Sequence, residues 1–296
     1  MGKDLKIPHD AKGFVRALMP GEAEQPILSR PVREAVHQWM TELWAVEDLK
    51  AVGLKPRRSL ILEGPPGCGK TTLAHHFSAR LGLPLLCVQT DNMVGSHLGE
   101  TGRNLAAAFS WLEEQKDEAI LFLDEFDAVA TKRTEDNQAC AREMNATVNS
   151  LLQRLEASQG IIIAATNRSE AIDPAVWRRF GMHLAIDLPG EEERYAIISR
   201  YLAPYSVGEA MLDALSDALA GASPALLRQL MEGIKRDLIL APRLNRQTDL
   251  KSTLLRLTVS VRPHPAYSLP PLYESGNSIE RIAEMPWPPE RKDAAE

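Results

Sequence analysis

From about residue 30 to residue 190, strand-length apolar runs alternate with stretches in which apolar positions recur every three or four residues. The apolar runs fall at 58–63, 85–90, 119–124, 160–166 and 184–188. Unbroken runs such as Ala119-Ile120-Leu121-Phe122-Leu123 and Ile161-Ile162-Ile163-Ala164-Ala165 suit strands covered on both faces of a parallel sheet. Helical spacing predicts a helix over 31–49, where Val32, Val36, Trp39, Met40, Leu43 and Trp44 share a face, ended by Gly53 and Pro56. Further helices are expected over 71–81, 102–115 and 140–157. This alternation predicts an α/β fold with a doubly wound, parallel, five-stranded sheet.

After Pro189-Gly190 the pattern changes to amphipathic runs at 194–201, 210–219 and 224–238, which predict a small helical lid domain without strands. The expected organisation is an N-terminal extension at 1–30, the α/β domain at 31–190, the lid at 191–245 and a C-terminal extension at 246–296. The first 30 residues read as loosely structured, with Pro8, Pro20, Gly21 and Pro26 as breakers. Residues 254–261 fit either a helix end or a strand. Pro263, Pro265, Pro270, Pro271, Pro286, Pro288 and Pro289, interspersed with Tyr267, Tyr273 and Trp287, predict a partly flexible tail or a docking peptide.

Composition narrows the class. With 44% hydrophobic and 25% charged residues the chain is ordinary for a globular protein. A net charge of −6 counts against nucleic-acid binding through a broad basic surface. Cys68, Cys87 and Cys140 form neither an even framework nor a metal-ligand spacing, so reduced thiols are expected. No apolar run approaches the roughly 18 residues of a membrane span. The N-terminus has no apolar stretch of the secretory type, so the expectation is a cytoplasmic protein without membrane attachment.

Chemistry enters at Gly64-Pro65-Pro66-Gly67-Cys68-Gly69-Lys70-Thr71, which fits the phosphate-loop pattern G-x-x-x-x-G-K-[ST] at every fixed position. A strand candidate precedes it, and Thr72-Leu73-Ala74 opens a helix-compatible run. In such a frame backbone N–H groups point at phosphate oxygens, and the helix start adds partial positive charge. Residues 64–72 are therefore the expected ATP-binding segment. Lys70 would bridge the β- and γ-phosphates, and Thr71 would offer its hydroxyl to Mg²⁺.

The run Ile120-Leu121-Phe122-Leu123 ends in Asp124-Glu125, 54 residues beyond Lys70. Asp124 is the expected second Mg²⁺ residue, and Glu125 is placed to polarise a water for in-line attack. Asn167 ends the next strand candidate, where it would stand beside that water and the γ-phosphate. Arg178 and Arg179 follow, and in this context suggest a cation offered to a neighbouring subunit's γ-phosphate.

Together, 64–71, 120–127, 163–168 and Asp173-Pro174-Ala175-Val176-Trp177-Arg178-Arg179-Phe180 resemble the AAA+ ATPases. The resemblance runs from about residue 30 to 240. It implies a hexameric or similar homo-oligomeric ring, ATP and Mg²⁺ at subunit interfaces, and Arg178 and Arg179 acting in trans. It implies an ATP-hydrolysing motor that remodels or unfolds protein clients, with a client, an adaptor or a peptidase as partner. Two other readings stay open: a nucleotide-driven assembly switch that threads nothing, and a nucleic-acid-associated ATPase of the transposition, clamp-loader or defence type. No recruiting domain is expected ahead of the module, so client recruitment is expected from the first 30 residues, the tail, the pore or an adaptor.

The chain departs from the family pattern in three places. Its arginines are adjacent, where the family places two residues between them, which favours Arg179. His97 stands where threading relatives carry an aromatic residue in Ser96-His97-Leu98-Gly99-Glu100. Ala225 replaces a lid arginine common among relatives, with Arg228 one helical turn on.

Overall fold

The computed structural model describes residues 15–90, 100–115, 118–133, 139–246, 248–263, 267–274 and 276–291. The chain divides into two compact units. The first comprises the described parts of 1–26, 30–64 and 69–186; the second takes 27–29, 65–68 and the described residues from 187 onward.

The first unit is built on a six-stranded sheet: β1 (Val15–Leu18), β2 (Ser59–Glu63), β3 (Leu85–Gln89), β4 (Ile120–Asp124), β5 (Ile161–Thr166) and β6 (Met182–Ala185). Their order is β1-β3-β4-β5-β2-β6. Strands β2 to β6 run parallel, so the mainly parallel α/β sheet expected from the apolar runs is present. The sheet differs from the five-stranded expectation by β1, which pairs antiparallel with β3 from Val15↔Val88 to Leu18↔Leu85. Residues 15–18 lie in the segment read as loosely structured. Their short Val-Arg-Ala-Leu run becomes a strand because the edge of β3 offers it a partner.

Helices α1 (Arg30–Trp44), α2 (Val46–Ala51), α3 (Lys70–Leu81), α4 (Glu100–Gln115), α5 (Ala139–Ala157) and α6 (Pro174–Trp177) connect and cover these strands. Ile61, Leu86, Val88, Leu121, Leu123, Ile162 and Ala164 pack with Leu105, Phe109 and Leu112 of α4 and with Val148 and Leu151 of α5. The alternate strand residues Leu60, Leu62, Phe122 and Ile163 are also fully buried, as a sheet covered on both faces requires. Trp39 and Phe77 meet edge to face at 4.9 Å, and the Trp39 indole N–H donates to Arg57 O at 2.8 Å. Parallel strands bring the C-terminal ends of β2, β4 and β5 side by side, with β5 between the other two.

The second unit contains α7 (Glu191–Leu202), β7 (Tyr205–Ser206), α8 (Glu209–Ala218), α9 (Pro224–Arg243), α10 (Leu250–Ser260), α11 (Pro271–Glu274), α12 (Gly276–Ala283) and β8 (Glu290–Arg291). Its core joins Ile197, Ile198, Leu215, Leu227, Leu230 and Ile234 to residues of the C-terminal extension, Leu254, Leu257, Leu272, Ile279 and Ile282 among them. The proline-rich tail is thus largely folded where it is described. Pro271 opens α11, a position where a missing N–H costs nothing, and residues 254–260 are helical. A two-stranded ribbon, β7 with β8, stands where no strand was expected. Among the described residues no helix is long and apolar enough to cross a membrane.

Candidate nucleotide-binding site

The loop after β2 owes its path to glycine. Gly64 has φ +144°, and a Cβ there would stand 2.1 Å from Ile186 O. Gly69, at φ 87°, turns the chain into the first turn of α3. Lys70 and Thr71 therefore sit at the start of that helix, beside the end of β2. The Lys70 side chain is almost fully buried, and its ammonium donates to Gly64 O at 2.7 Å and to Asn167 Oδ1 at 2.6 Å. The Thr71 hydroxyl donates to Asp124 Oδ2 at 3.0 Å. Residues from three strand ends, β2, β4 and β5, thus meet within hydrogen-bond distance.

Glu125 follows Asp124 directly and is exposed, with φ 52° and ψ 43°. Left-handed geometry is uncommon for a glutamate and marks a backbone held by its surroundings. The holding group is the hydroxyl of buried Thr90, which donates to Asp124 O at 2.7 Å and to Glu125 O at 2.6 Å. Sequence reading missed Thr90, although a threonine one residue past an apolar strand was there to be noticed. A second buried hydroxyl braces the next strand end. Thr166 donates to Asp127 Oδ1 at 2.8 Å and accepts from Arg168 N at 3.0 Å, which fixes the turn carrying Asn167.

Burial pushes the Cys87 thiol up to about 12, with the Asp124 charge adding to the rise, so the thiol below the site stays protonated. Cys68 is also buried. His75 Nε2 lies 2.8 Å from Met19 O, and burial, helped by Arg80, lowers the pKa of His76. The two histidines thus have separate surroundings.

The family model described as "ATPase family associated with various cellular activities (AAA)" matches residues 60–188. Residues 60–188 thus carry an ATPase domain of this AAA family. An uncharacterized AAA family ATPase of Sinorhizobium fredii is 38% identical over 201 residues, covering 67% of this chain and 58% of that protein. The proteasome-activating nucleotidase of Methanopyrus kandleri is 33% identical over 203 residues, 66% of this chain and 46% of the relative. The 26S proteasome regulatory subunit 6A of Schizosaccharomyces pombe is 32% identical over 205 residues, 65% and 47% respectively. The chain spans about half the length of the curated relatives it matches.

Within this AAA module the two arginines follow α6. Asp173 caps α6 by accepting from Ala175 N at 2.8 Å, and receives Arg133 Nε at 2.9 Å. Burial alone would raise its pKa, but these hydrogen bonds and the Arg133 charge outweigh it and hold the carboxyl below its ordinary value. Arg178 and Arg179 leave the end of that capped turn and are exposed. Arg179 pairs with Glu156 of α5. Arg178 edges a depression shared with Lys132, Glu170 and Trp177.

In the C-terminal unit Ala225 N donates to Gly67 O at 3.1 Å. Arg228 pairs with Glu232 at 2.8 Å and lies 5.2 Å over the Tyr201 ring. His97 lies outside the described residues, as do 134–138 of the polar loop after Asp127.

Proposed function

We propose that the chain is an ATP-hydrolysing ring motor that remodels or unfolds protein clients, with ATP and Mg²⁺ bound at subunit interfaces. One observation carries this reading: Lys70, Thr71, Asp124 and Asn167 converge from three strand ends, with Glu125 next in line. The residues present fit the metal. Thr71 Oγ1 and Asp124 Oδ2, 3.0 Å apart, are both oxygen donors of the kind Mg²⁺ takes, and would hold it. When bound there, Mg²⁺ neutralises charge on the β- and γ-phosphates.

The chain's own groups supply the rest. Residues 64–72 cradle the phosphates with backbone N–H groups, and Lys70 exchanges Gly64 O and Asn167 for phosphate oxygens. Glu125, held by Thr90, orients and deprotonates the attacking water, and Asn167 reads the γ-phosphate. Arg179, with Arg178 beside it, meets the γ-phosphate of the next subunit. Two of the relatives are named for the proteasome, a protein-degrading machine, which supports a protein as client. A partner peptidase and a cytoplasmic setting belong to the same reading.

The test is turnover and mass of the parent chain, Glu125→Gln and Arg179→Ala, separately and mixed. The parent should form ATP-dependent rings and release phosphate, stimulated by an unfolded protein. Glu125→Gln should assemble without turnover, and mixing the two variants should restore part of the activity. Undiminished phosphate release by Glu125→Gln would remove that residue from its role. Turnover indifferent to any protein client would turn the reading toward an assembly switch.

A further inference from the structure

The adjacent arginines stand on a tight reversal within the first unit. The short helix α6 ends at Trp177 and β6 begins at Met182. Between them the chain turns back over Arg178, Arg179, Phe180 and Gly181. A helix end leaves carbonyls without intrahelical donors, and side chains from two strands meet carbonyls of this turn. His183, on the edge strand β6, donates from Nε2 to Trp177 O at 2.9 Å. A carbonyl only accepts, so Nε2 carries the proton. The His183 ring also lies against the Trp177 ring, with centroids 4.5 Å and planes 31° apart. Ser59, at the start of β2, donates to Arg179 O at 3.3 Å and accepts from Gly181 N at 3.0 Å. Phe180 is buried and meets Phe126 edge to face at 5.5 Å.

The backbone is thus tied at the residue before Arg178 and again at Arg179, while both arginine side chains are exposed. His183 is itself exposed and Ser59 half-buried, so burial does not demand either hydrogen bond. An exposed imidazole has water as an alternative partner. What its bond to Trp177 O adds is a fixed backbone.

We infer that His183 and Ser59 are positioning residues, which clamp this turn so that its arginine is presented to a neighbouring subunit's γ-phosphate. This rests on the in-trans arginine proposed above. An arginine side chain loses much rotamer freedom when it is ordered. A loose backbone would add to what must be ordered on contact, and a clamped one lowers that cost. His183 and Ser59 act through the turn and touch no nucleotide themselves.

The experiment is steady-state phosphate release and melting of the full chain carrying His183→Phe, His183→Gln or Ser59→Ala, alone and mixed with Glu125→Gln or Arg179→Ala. His183→Phe keeps the ring against Trp177 and removes the N–H donor; His183→Gln returns a donor at similar reach. His183→Phe and Ser59→Ala should each lower turnover at saturating ATP about threefold to tenfold, the worth of one hydrogen bond. KM for ATP and melting should stay near the parent's, and His183→Gln should recover part of the turnover. Mixing with Glu125→Gln should raise turnover per His183→Phe subunit, because a well-held arginine then reaches an intact site; mixing with Arg179→Ala should not. Parental turnover in His183→Phe, while Arg179→Ala mixed with Glu125→Gln recovers activity, would overturn the positioning role and leave the in-trans arginine standing. Turnover lowered with the melting temperature, and not raised by Glu125→Gln, would make His183 a packing residue and overturn the inference. No recovery in the mixture of Arg179→Ala and Glu125→Gln would remove the in-trans reading, and the inference with it.

Discussion

Replacing Thr90 with valine keeps the side-chain shape and removes one hydroxyl. That hydroxyl is fully buried and is shared between Asp124 O at 2.7 Å and Glu125 O at 2.6 Å. Leaving these part-buried carbonyls short of a donor costs about 1–3 kcal/mol. The site needs that energy locally, because Glu125 sits at φ 52°, a region that costs a non-glycine residue about 1–2 kcal/mol. The Thr90 contribution is therefore about as large as the strain it holds in place. If about 1.4 kcal/mol of it fixes the Glu125 backbone, the productive conformation becomes about tenfold rarer without it.

The expected result is an ATP turnover lowered about tenfold, with ATP affinity nearly unchanged because Lys70 and Thr71 stand on α3. The melting temperature should fall by about 2–4 °C for each kcal/mol lost. The assays are phosphate release across an ATP titration and calorimetric melting, with Thr90→Ser as the variant that keeps the hydroxyl and recovers turnover. Parental turnover in Thr90→Val, with melting lowered, would show that Glu125 is held by other means and would refute the link.

Two further predictions come from the same unit. Gly64→Ala puts a Cβ 2.1 Å from the backbone oxygen of Ile186 at positive φ, so it should cost about 2–4 kcal/mol, read as a lowered urea midpoint; an unchanged midpoint would mean that the loop relocates freely. Asp173 has its pKa depressed on folding, so its stabilisation is complete above the unfolded value of about 3.9 and is lost as pH falls through the lower folded value. Asp173→Asn should therefore melt below the parent at pH 7 and converge on it in acid; a gap independent of pH would mean that the Arg133 pair contributes nothing.

Legibility followed the range of the forces involved. The strands β2 to β5 lie within a residue or so of the apolar runs, because a strand buried on both faces must be apolar throughout and cannot be mistaken for a turn. The candidate site was legible for a related reason. Its residues sit at fixed offsets from strand ends, and parallel topology gathers strand ends without further information. Strand β1 was not legible, because four mildly apolar residues become a strand only when the edge of β3 is there to pair with them. The C-terminal extension misled through its prolines. Pro271 begins a helix rather than breaking one, and the Ile279–Ile282 pair, three apart on α12, was the signal for its buried face. Thr90 escaped because a buried hydroxyl is recognised by its acceptors, which lie more than thirty residues away along the chain.

The adjacency of Arg178 and Arg179 has a geometric consequence. Successive residues of a helical turn point about 100° apart, and both arginines leave the turn of α6 that Asp173 caps. On the in-trans role proposed above, this divergence favours one arginine at the phosphate with the other beside it. Arg179 is tied to Glu156, with the two side chains 46% and 50% exposed. A pair so exposed is worth about 1 kcal/mol at most, less than the roughly 1.5–3 kcal/mol of a hydrogen bond to a charged group. If Arg179 acts across an interface as proposed, a phosphate oxygen arriving from the neighbour would outcompete the Glu156 carboxylate. On the same reading the Glu156 pair would keep a half-exposed guanidinium at the protein surface, where meeting a neighbour needs least reorganisation.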